Sequence, residues 1–498
     1  MAAQKIALIN FYNQKALAIR YIEGALTAAG FDVAVLHIGG YRAQRSSEPD
    51  EAGVLRFLET LGASPLWIGL SVTSSFFLGI AESVSDLIKK HTGAPIVWGG
   101  VYATLLAERC LAHCDYVIRG EGEYAAAHFS RRLASGSGVG DVPNLVYRKN
   151  GKIITNPMRP FDMDLGTLPI AELGLPNKYY LDDDTGRLHH MDPYVNSSSY
   201  ETAASRGCPF ACSFCSAVSI KRLYPNAAHY TRTRAPGDVI DELKSAKAKM
   251  KRLSFIRFWD EIFSTDPLWV DEFAARYKTE INLPFEAWTH PLKTDAELLA
   301  KLRAVGLRCV SMGIQSGSPE VRKKVFRRAE SQEQILAAAN MLTKSRIPYV
   351  TYDFILGHPL ETPEQLKESY ELCTRLPGRF LLQLHGLSFL PGTDIVEEAV
   401  KQGLYTREAM EEMIYLPMER QYSLWNEAKN ANPEIEFWYN LIFMTQFPLF
   451  RAIARRLAKH SQSPKHRAKA ARRYRLSKLF LSLRHIRQKG LNVVLERR

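Results

Sequence analysis

Arg206-Gly207-Cys208-Pro209-Phe210-Ala211-Cys212-Ser213-Phe214-Cys215-Ser216 is the stretch from which the rest of the chain can be placed. Three thiolates at CxxxCxxC spacing in one short loop can hold three irons of a [4Fe-4S] cubane, whereas ligation by protein alone takes four Cys. Cys110, Cys114, Cys309 and Cys373 lie far off in sequence and offer no obvious fourth ligand. The fourth iron is thereby left to something other than protein, which implies chemistry rather than structural stapling. A zinc site of three Cys and one His is the competing reading. Zinc loops favour two CxxC-type pairs, and no second pair exists here.

At 498 residues the chain exceeds a single core, so two or three domains are expected. A composition of 46% hydrophobic and 23% charged residues is that of a globular protein and excludes a disordered or fibrous chain. Seven Cys, an odd number with three clustered, argue against a disulfide framework and for a reducing compartment. The start, Met1 to Asn10, reads as a strand without the apolar core of a secretory signal. No run of 18 apolar residues is present, so a cytoplasmic location is expected. The net charge of +13 is uneven: from Arg451 to Arg498, 16 Lys and Arg stand against one acid, Glu496. The remainder of the chain is near neutral.

Residues 1–134 alternate strand and helix. Lys5–Phe11, Asp32–Ile38, Leu66–Thr73, Pro95–Trp98 and Tyr116–Arg119 read as strands, with helical spacing over Ala16–Ala29 and Ser83–Lys90. Continuous apolar strands in repeated β–α units predict an α/β fold with a doubly wound, Rossmann-like parallel sheet. Ligands of such sheets lie beyond the carboxyl ends of the strands. Asn13 in the loop Asn10–Gln14, Ser71, Thr73, Ser74, Gly99, Gly100, Gly120 and Glu121 occupy those ends. Residues 135–196 are expected as a linker with a hairpin around Asn150-Gly151. From 197 to 400 the alternation returns, with strands expected at Tyr200–Ser205, Ser254–Asp260, Pro284–Thr289, Arg308–Gln315, Tyr349–Leu356 and Leu381–Phe389. These predict a partial (β/α)6 barrel whose chemistry gathers at the carboxyl ends. His290, Tyr352, His358 and His385 stand near that mouth, although a lone His at a strand end is more often structural. Residues 401–498 are expected as a basic helical domain.

The cysteine loop resembles the signature of radical S-adenosylmethionine (SAM) enzymes. The resemblance implies that the amine and carboxylate of SAM fill the open iron and that reductive cleavage releases a 5′-deoxyadenosyl radical. Phe214, the aromatic before the last Cys, would pack near the adenine. Gly313-Ile314-Gln315-Ser316-Gly317-Ser318 looks like the family's fourth-strand motif, where a polar side chain meets the ribose or carboxylate of SAM. Gln315 stands where Glu is common and brings hydrogen bonds without charge. Phe354-Ile355-Leu356-Gly357-His358-Pro359 resembles the segment that lies against adenine, with Leu360 in place of a Gly. Asp260 and Glu261 either hold the SAM amine or serve as N-cap and first-turn acid of a helix.

Together with the first domain, the loop resembles the B12-dependent radical SAM enzymes. The match rests on the hydroxyl-rich strand end at 71–74, on Trp98-Gly99-Gly100-Val101-Tyr102-Ala103-Thr104, and on Asp115-Tyr116-Val117-Ile118-Arg119-Gly120-Glu121-Gly122-Glu123. It implies a cobalamin domain, with Tyr102 among the contacts and glycines that let the macrocycle approach the backbone. Many such domains carry a DxHxxG loop whose His coordinates cobalt. Here the first loop lacks His, and His37-Ile38-Gly39-Gly40 falls at the end of the second strand with Val35 in place of the Asp. Cobalamin without a protein His ligand is therefore expected.

The family implies an enzyme that methylates an unactivated carbon of a small-molecule, lipid or peptide substrate. It would use two SAM, a [4Fe-4S] cluster and methylcobalamin, with a flavodoxin- or ferredoxin-like electron donor. The alternatives are a cyclisation or rearrangement without methyl transfer, as in the porphyrin ring cyclase that the layout also resembles, and a non-enzymatic redox sensor. A tRNA methylthiotransferase fits poorly, since that family carries further N-terminal Cys and the first hundred residues here hold none. Basic helices are expected over Arg451–His460, Ala468–Leu483 and Arg484–Gln488, beside an aromatic run within Glu434–Phe450. They read as a solvated cap on the barrel, as peripheral contact with an anionic membrane, or as a phosphate footprint for RNA or an acidic peptide. Nucleic acid is the weaker of these, because the aromatics are contiguous rather than set in an RNA-binding motif.

Overall fold

The computed structural model describes residues 4–495 apart from 14, 40–49, 63 and 183–184, and leaves aside the side chains of 418 and 482–495. Gln14, Gly40 and Glu496–Arg498, which enter the readings above, lie outside the described residues.

Apolar runs bury the first strands on both faces, as a sheet covered by helices on each side requires. In β1 (Lys5–Phe11) six of the seven residues are buried, and in β2 (Asp32–Gly39) seven of the eight. β3 (Ile68–Ser71), β4 (Ile96–Gly99) and β5 (Tyr116–Ile118) continue the parallel sheet. β1 pairs with β2 on one side and β3 on the other, so the strand order reverses at β1. The expected linker behaves differently. Its hairpin, β6 (Leu145–Lys149) and β7 (Lys152–Thr155), pairs antiparallel to β5, and β8 (Lys178–Asp182) with β9 (Arg187–His189) extends the other edge beside β2. Among the described residues the sheet has nine strands in the order β7-β6-β5-β4-β3-β1-β2-β8-β9.

The second sheet starts at β10 (Ser199–Thr202). β11 (Ser205–Arg206) and β12 (Arg232–Thr233) then form a two-stranded ribbon that brackets the cysteine loop. β13 (Phe255–Phe258), β14 (Phe285–Thr289), β15 (Leu307–Gln315), β16 (Tyr349–Ile355) and β17 (Leu381–His385) complete a six-stranded parallel sheet with neighbours in chain order, the open β/α barrel expected.

Two sequence expectations for the C-terminal region change. The aromatic run lies in the helix Pro433–Met444, where Phe437, Trp438, Tyr439, Leu441, Ile442, Phe443 and Met444 are all buried and continuous with the barrel core. It is interior packing, not a surface. The basic segment is the helix Pro448–Ala458 followed by one long helix, Pro464–Leu495, rather than two shorter ones. No helix among the described residues is long and apolar enough to cross a membrane.

The two sheets are joined by a buried polar knot. Arg20, in the helix Leu17–Ala28, donates to the Tyr200 hydroxyl on β10, and Tyr200 donates to Glu242 Oε1 over 2.7 Å. Glu242, in the helix Pro236–Lys249, also accepts from Arg234. All four side chains are buried.

Candidate functional site

The carboxyl ends of the first sheet face the cysteine ribbon across a cavity of about 380 Å³. Ser71, Thr73, Gly99, Gly100, Gly120 and Glu121 line one side, and Ser205, Arg206, Gly207, Tyr230, Arg232 and Arg234 the other. Leu8, Ile22, Trp67, Gly69 and Val97 give it an apolar wall. This is the switch-point crevice where doubly wound sheets hold ligands.

Glycine is required at two points of this wall. Gly100 has φ +105°, and a Cβ there would stand 2.7 Å from the Val72 carbonyl oxygen. Gly120 has φ +67° and a Cβ would collide with the Tyr224 side chain. Its amide instead donates to Thr104 Oγ1 at 2.9 Å. By contrast, a Cβ on Gly99 would meet only the Ile118 oxygen at 3.8 Å, leaving room for a flat ligand. Small hydroxyls at the rim, glycines on one wall and an apolar face fit the nucleotide tail and corrin edge of cobalamin.

Three expected contacts point elsewhere. Tyr102 is buried and its hydroxyl donates to the Ile414 carbonyl at 3.1 Å, so it ties the first domain to the C-terminal region. Ser74 caps the short turn Ser75–Phe77 by accepting from the Phe76 amide. Asn13 is exposed, and its Oδ1 accepts from the Lys15 amide. Glu121 does line the cavity, but its carboxylate is ion-paired to Arg232 and lies 3.6 Å from Arg206. Arg206 also pairs with Glu123 at 2.6 Å. In the sequence, the one signal for Arg206 is its position two residues before Cys208. His37 is buried in β2, away from the cavity, with Asn10 Nδ2 3.4 Å from its Nδ1. Burial holds its imidazole down at about 4. No His stands among the described residues that line the cavity.

The cysteine loop is built to approach the protein closely. Gly207 has φ +88°, and a Cβ there would strike the Tyr230 carbonyl on the far side of the ribbon. Ser213 anchors the loop, its amide donating to the Phe326 carbonyl at 3.1 Å and its carbonyl accepting from Ile395. Cys208, Cys212 and Cys215 remain partly exposed. Burial pushes the Cys208 thiol up to about 11 and the Cys215 thiol to about 12, so these thiolates call for a cationic partner. Arg328 supplies one charge, with Nη1 3.7 Å from Cys212 Sγ, while its Nη2 donates to the Gly313 carbonyl at 2.7 Å. Among the described residues no three His, Cys, Asp or Glu side chains converge as a single ion needs.

The expected SAM contacts divide. Phe214 packs edge-on against Phe326 with ring centroids 5.0 Å apart, next to the loop. Glu261 is an exposed residue whose carboxyl is nonetheless raised by lost hydration, and its charge is felt at Cys208 and Cys215. Gln315 ends β15 at φ +68°, where the register with β16 slips. A non-glycine residue in that region stores strain, a mark of functional positions. Gly357, at φ +65°, donates its amide to Glu361 Oε2 at 2.7 Å.

Asp260 and Ser316 are turned into the protein. Asp260 accepts from the Ala204 amide at 3.0 Å and from the Ser205 hydroxyl, which fixes the entry to the cysteine ribbon. Burial still lifts its carboxyl to about 6. The N-cap reading does not hold, because the next helix begins at Pro267 and is capped by Asp266. Ser316 is fully buried, its hydroxyl accepting from the Ser318 amide at 3.1 Å. His290 stacks on Phe210 with centroids 3.7 Å apart and caps the turn Pro291–Lys293, a structural role.

Fold and site together define a protein with two cofactor-binding faces, a doubly wound domain and a cysteine-bearing barrel, set against one another. Residues 203–373 match the radical SAM superfamily and residues 11–130 the B12 binding domain. The chain thus carries a B12 binding domain, which implies cobalamin, and a radical SAM domain, which implies SAM and a [4Fe-4S] cluster. It is 25% identical over 343 residues to an uncharacterized methyltransferase of Pyrococcus horikoshii, covering 68% of this chain and 70% of that protein. Against the anaerobic magnesium-protoporphyrin IX monomethyl ester cyclase of Cereibacter sphaeroides the identity is 24%, over 61% of this chain and about half (48%) of the cyclase. The solved structure of the cobalamin-dependent SAM radical enzyme OxsB with aqua-cobalamin shares the fold, with a TM-score of 0.68 at 13% identity, covering all of this chain and 83% of that one.

Proposed function

We propose that this protein is a cobalamin-dependent radical SAM methyltransferase that places a methyl group on an unactivated carbon of an organic substrate. The observation that carries the reading is the Arg206–Glu123 ion pair, which holds the cysteine loop against the strand ends of the B12 domain. When bound, cobalamin and the SAM-ligated cluster supply a transferable methyl group and a means of making a carbon radical. Cys208, Cys212 and Cys215 would hold the cluster. Phe214, Glu261, Gln315 and Gly357 would contact SAM, and Ser71, Thr73, Gly99, Gly100 and Gly120 would contact cobalamin. Glu121, Arg206 and Arg232 clamp the two sides, fixing the relative position of two reactive centres, which is the protein's main contribution to such chemistry. The relative of Pyrococcus horikoshii is named a methyltransferase, which favours this reading; the relative of Cereibacter sphaeroides is named a cyclase, which keeps a reaction without methyl transfer as the second.

The reading includes a one-electron donor of flavodoxin or ferredoxin type. It also includes a cytoplasmic location with peripheral contact between the basic C-terminal helices and anionic membrane. Incubation of the reduced holoenzyme with methyl-deuterated SAM and candidate substrates tests it. Deoxyadenosine together with a product heavier by one labelled methyl is expected. Deoxyadenosine with a product that gains no label establishes the cyclase-type reaction instead.

A further inference from the structure

Because the aromatic run of Pro433–Met444 is interior, it offers nothing to a lipid, and the outward side of the helix Pro464–Leu495 is where the basic region meets its surroundings. Ala470 and Ser477 are buried, and Tyr474 packs against Tyr439 and Phe443 with ring centroids 6.3 and 5.0 Å away. A helix turns about 100° per residue, so the opposite side carries Lys465, Lys469, Arg472, Leu476, Leu479 and Phe480. All six are exposed. The cations occupy the first turns and the apolar groups the next. Leu479 is 63% and Phe480 52% exposed. Phe480 meets Phe450 edge-on at 5.4 Å, which brings the start of the helix Pro448–Ala458, with Leu449 69% exposed, up to the same side. The sequence from 451 to 495 contains no acid, so these helices cannot neutralise their own cations.

We infer that this face docks on an anionic lipid bilayer, with Lys465, Lys469 and Arg472 meeting headgroups and Leu449, Leu479 and Phe480 entering the acyl boundary. It rests on the peripheral location proposed above and is independent of methyl transfer. A merely solvated basic face has no use for large apolar groups held out in water. Nucleic acid phosphates would engage the cations and leave Leu479 and Phe480 without a partner. A lipid surface takes both at once.

Co-sedimentation of the full-length holoprotein with phosphatidylcholine vesicles, with or without phosphatidylglycerol, tests the inference. Binding to the anionic vesicles only is expected, weakened by salt. Lys469→Glu with Arg472→Glu weakens it by about tenfold or more, since cations beside the surface are drawn to anionic headgroups and acids are repelled. Leu479→Ser with Phe480→Ser weakens it at unchanged charge, which separates insertion from simple attraction. Absence of binding by the wild-type protein overturns the inference, as does binding indifferent to Leu479→Ser with Phe480→Ser. Tighter binding of a poly(U) probe than of vesicles also overturns it and assigns the face to nucleic acid. Deoxyadenosine formation, read on the same samples, reports on the methyltransferase reading separately, and retained cobalamin shows that the variants are folded.

Discussion

Cys212→Ala protein, reconstituted with iron and sulfide under strict anaerobiosis, forms no detectable 5′-deoxyadenosine from SAM and dithionite. A fall of about 10³-fold or more, equivalent to about 4 kcal/mol of barrier, is expected, because Cys212 is the middle of three thiols and no other Cys stands in the loop. Cys309→Ala is the control. Cys309 lies on β15, outside the cysteine loop, and its loss leaves both iron content and deoxyadenosine yield near wild type. The visible absorbance of the cluster should follow the same pattern. Equal losses in the two variants would mean that the loop does not hold the cluster.

Glu242→Gln has the second large effect, on stability rather than chemistry. Glu242 is 5% exposed and faces both Arg20 and Arg234, whose side chains are equally inaccessible. Neutralising it leaves two buried guanidinium groups without their anion. Breaking such a pair by removing one partner costs about 3–5 kcal/mol. The loss falls at the contact between the first domain and the barrel, so thermal unfolding should split or broaden as it moves down. Glu280→Gln removes a surface partner of Arg276 and Lys244, and exposed pairs contribute only about 0–1 kcal/mol. Its melting curve should overlay the wild type. A Glu242→Gln curve that also overlays the wild type would show that the knot does not join the domains.

Much of the site was legible because its signals are local. The cysteine spacing lies within eight residues, and Ser71, Thr73, Gly99, Gly100 and Gly120 follow apolar strands whose ends can be read from pattern alone. The ends of three strands, β3, β4 and β5, do face one cavity. What the sequence concealed depends on partners far along the chain. Arg206 finds Glu123 83 residues earlier, and Arg232 finds Glu121 111 residues earlier; no periodicity encodes such pairs. Tyr102, Asp260 and Ser316 sit in the right segments, but their side chains are turned by a carbonyl of Ile414, by the amide of Ala204 and by the turn at Ser318. β8 and β9 escaped notice because strands of three to five residues at a sheet edge carry too little alternation to be recognised. The aromatic run misled for a related reason. A wholly apolar helix reads the same whether it meets lipid or another helix, and here it meets the barrel and the helix that follows it.

We propose that cobalamin and the cluster sit on the two sides of one cavity, clamped by Arg206 and Arg232. Electron paramagnetic resonance of the protein loaded with cob(II)alamin and a reduced cluster tests this most directly. The two paramagnets should shorten each other's relaxation, and Arg206→Met with Arg232→Met should weaken that coupling without removing iron. Two independent signals, with the relaxation of each unchanged when the other centre is made diamagnetic, would contradict it.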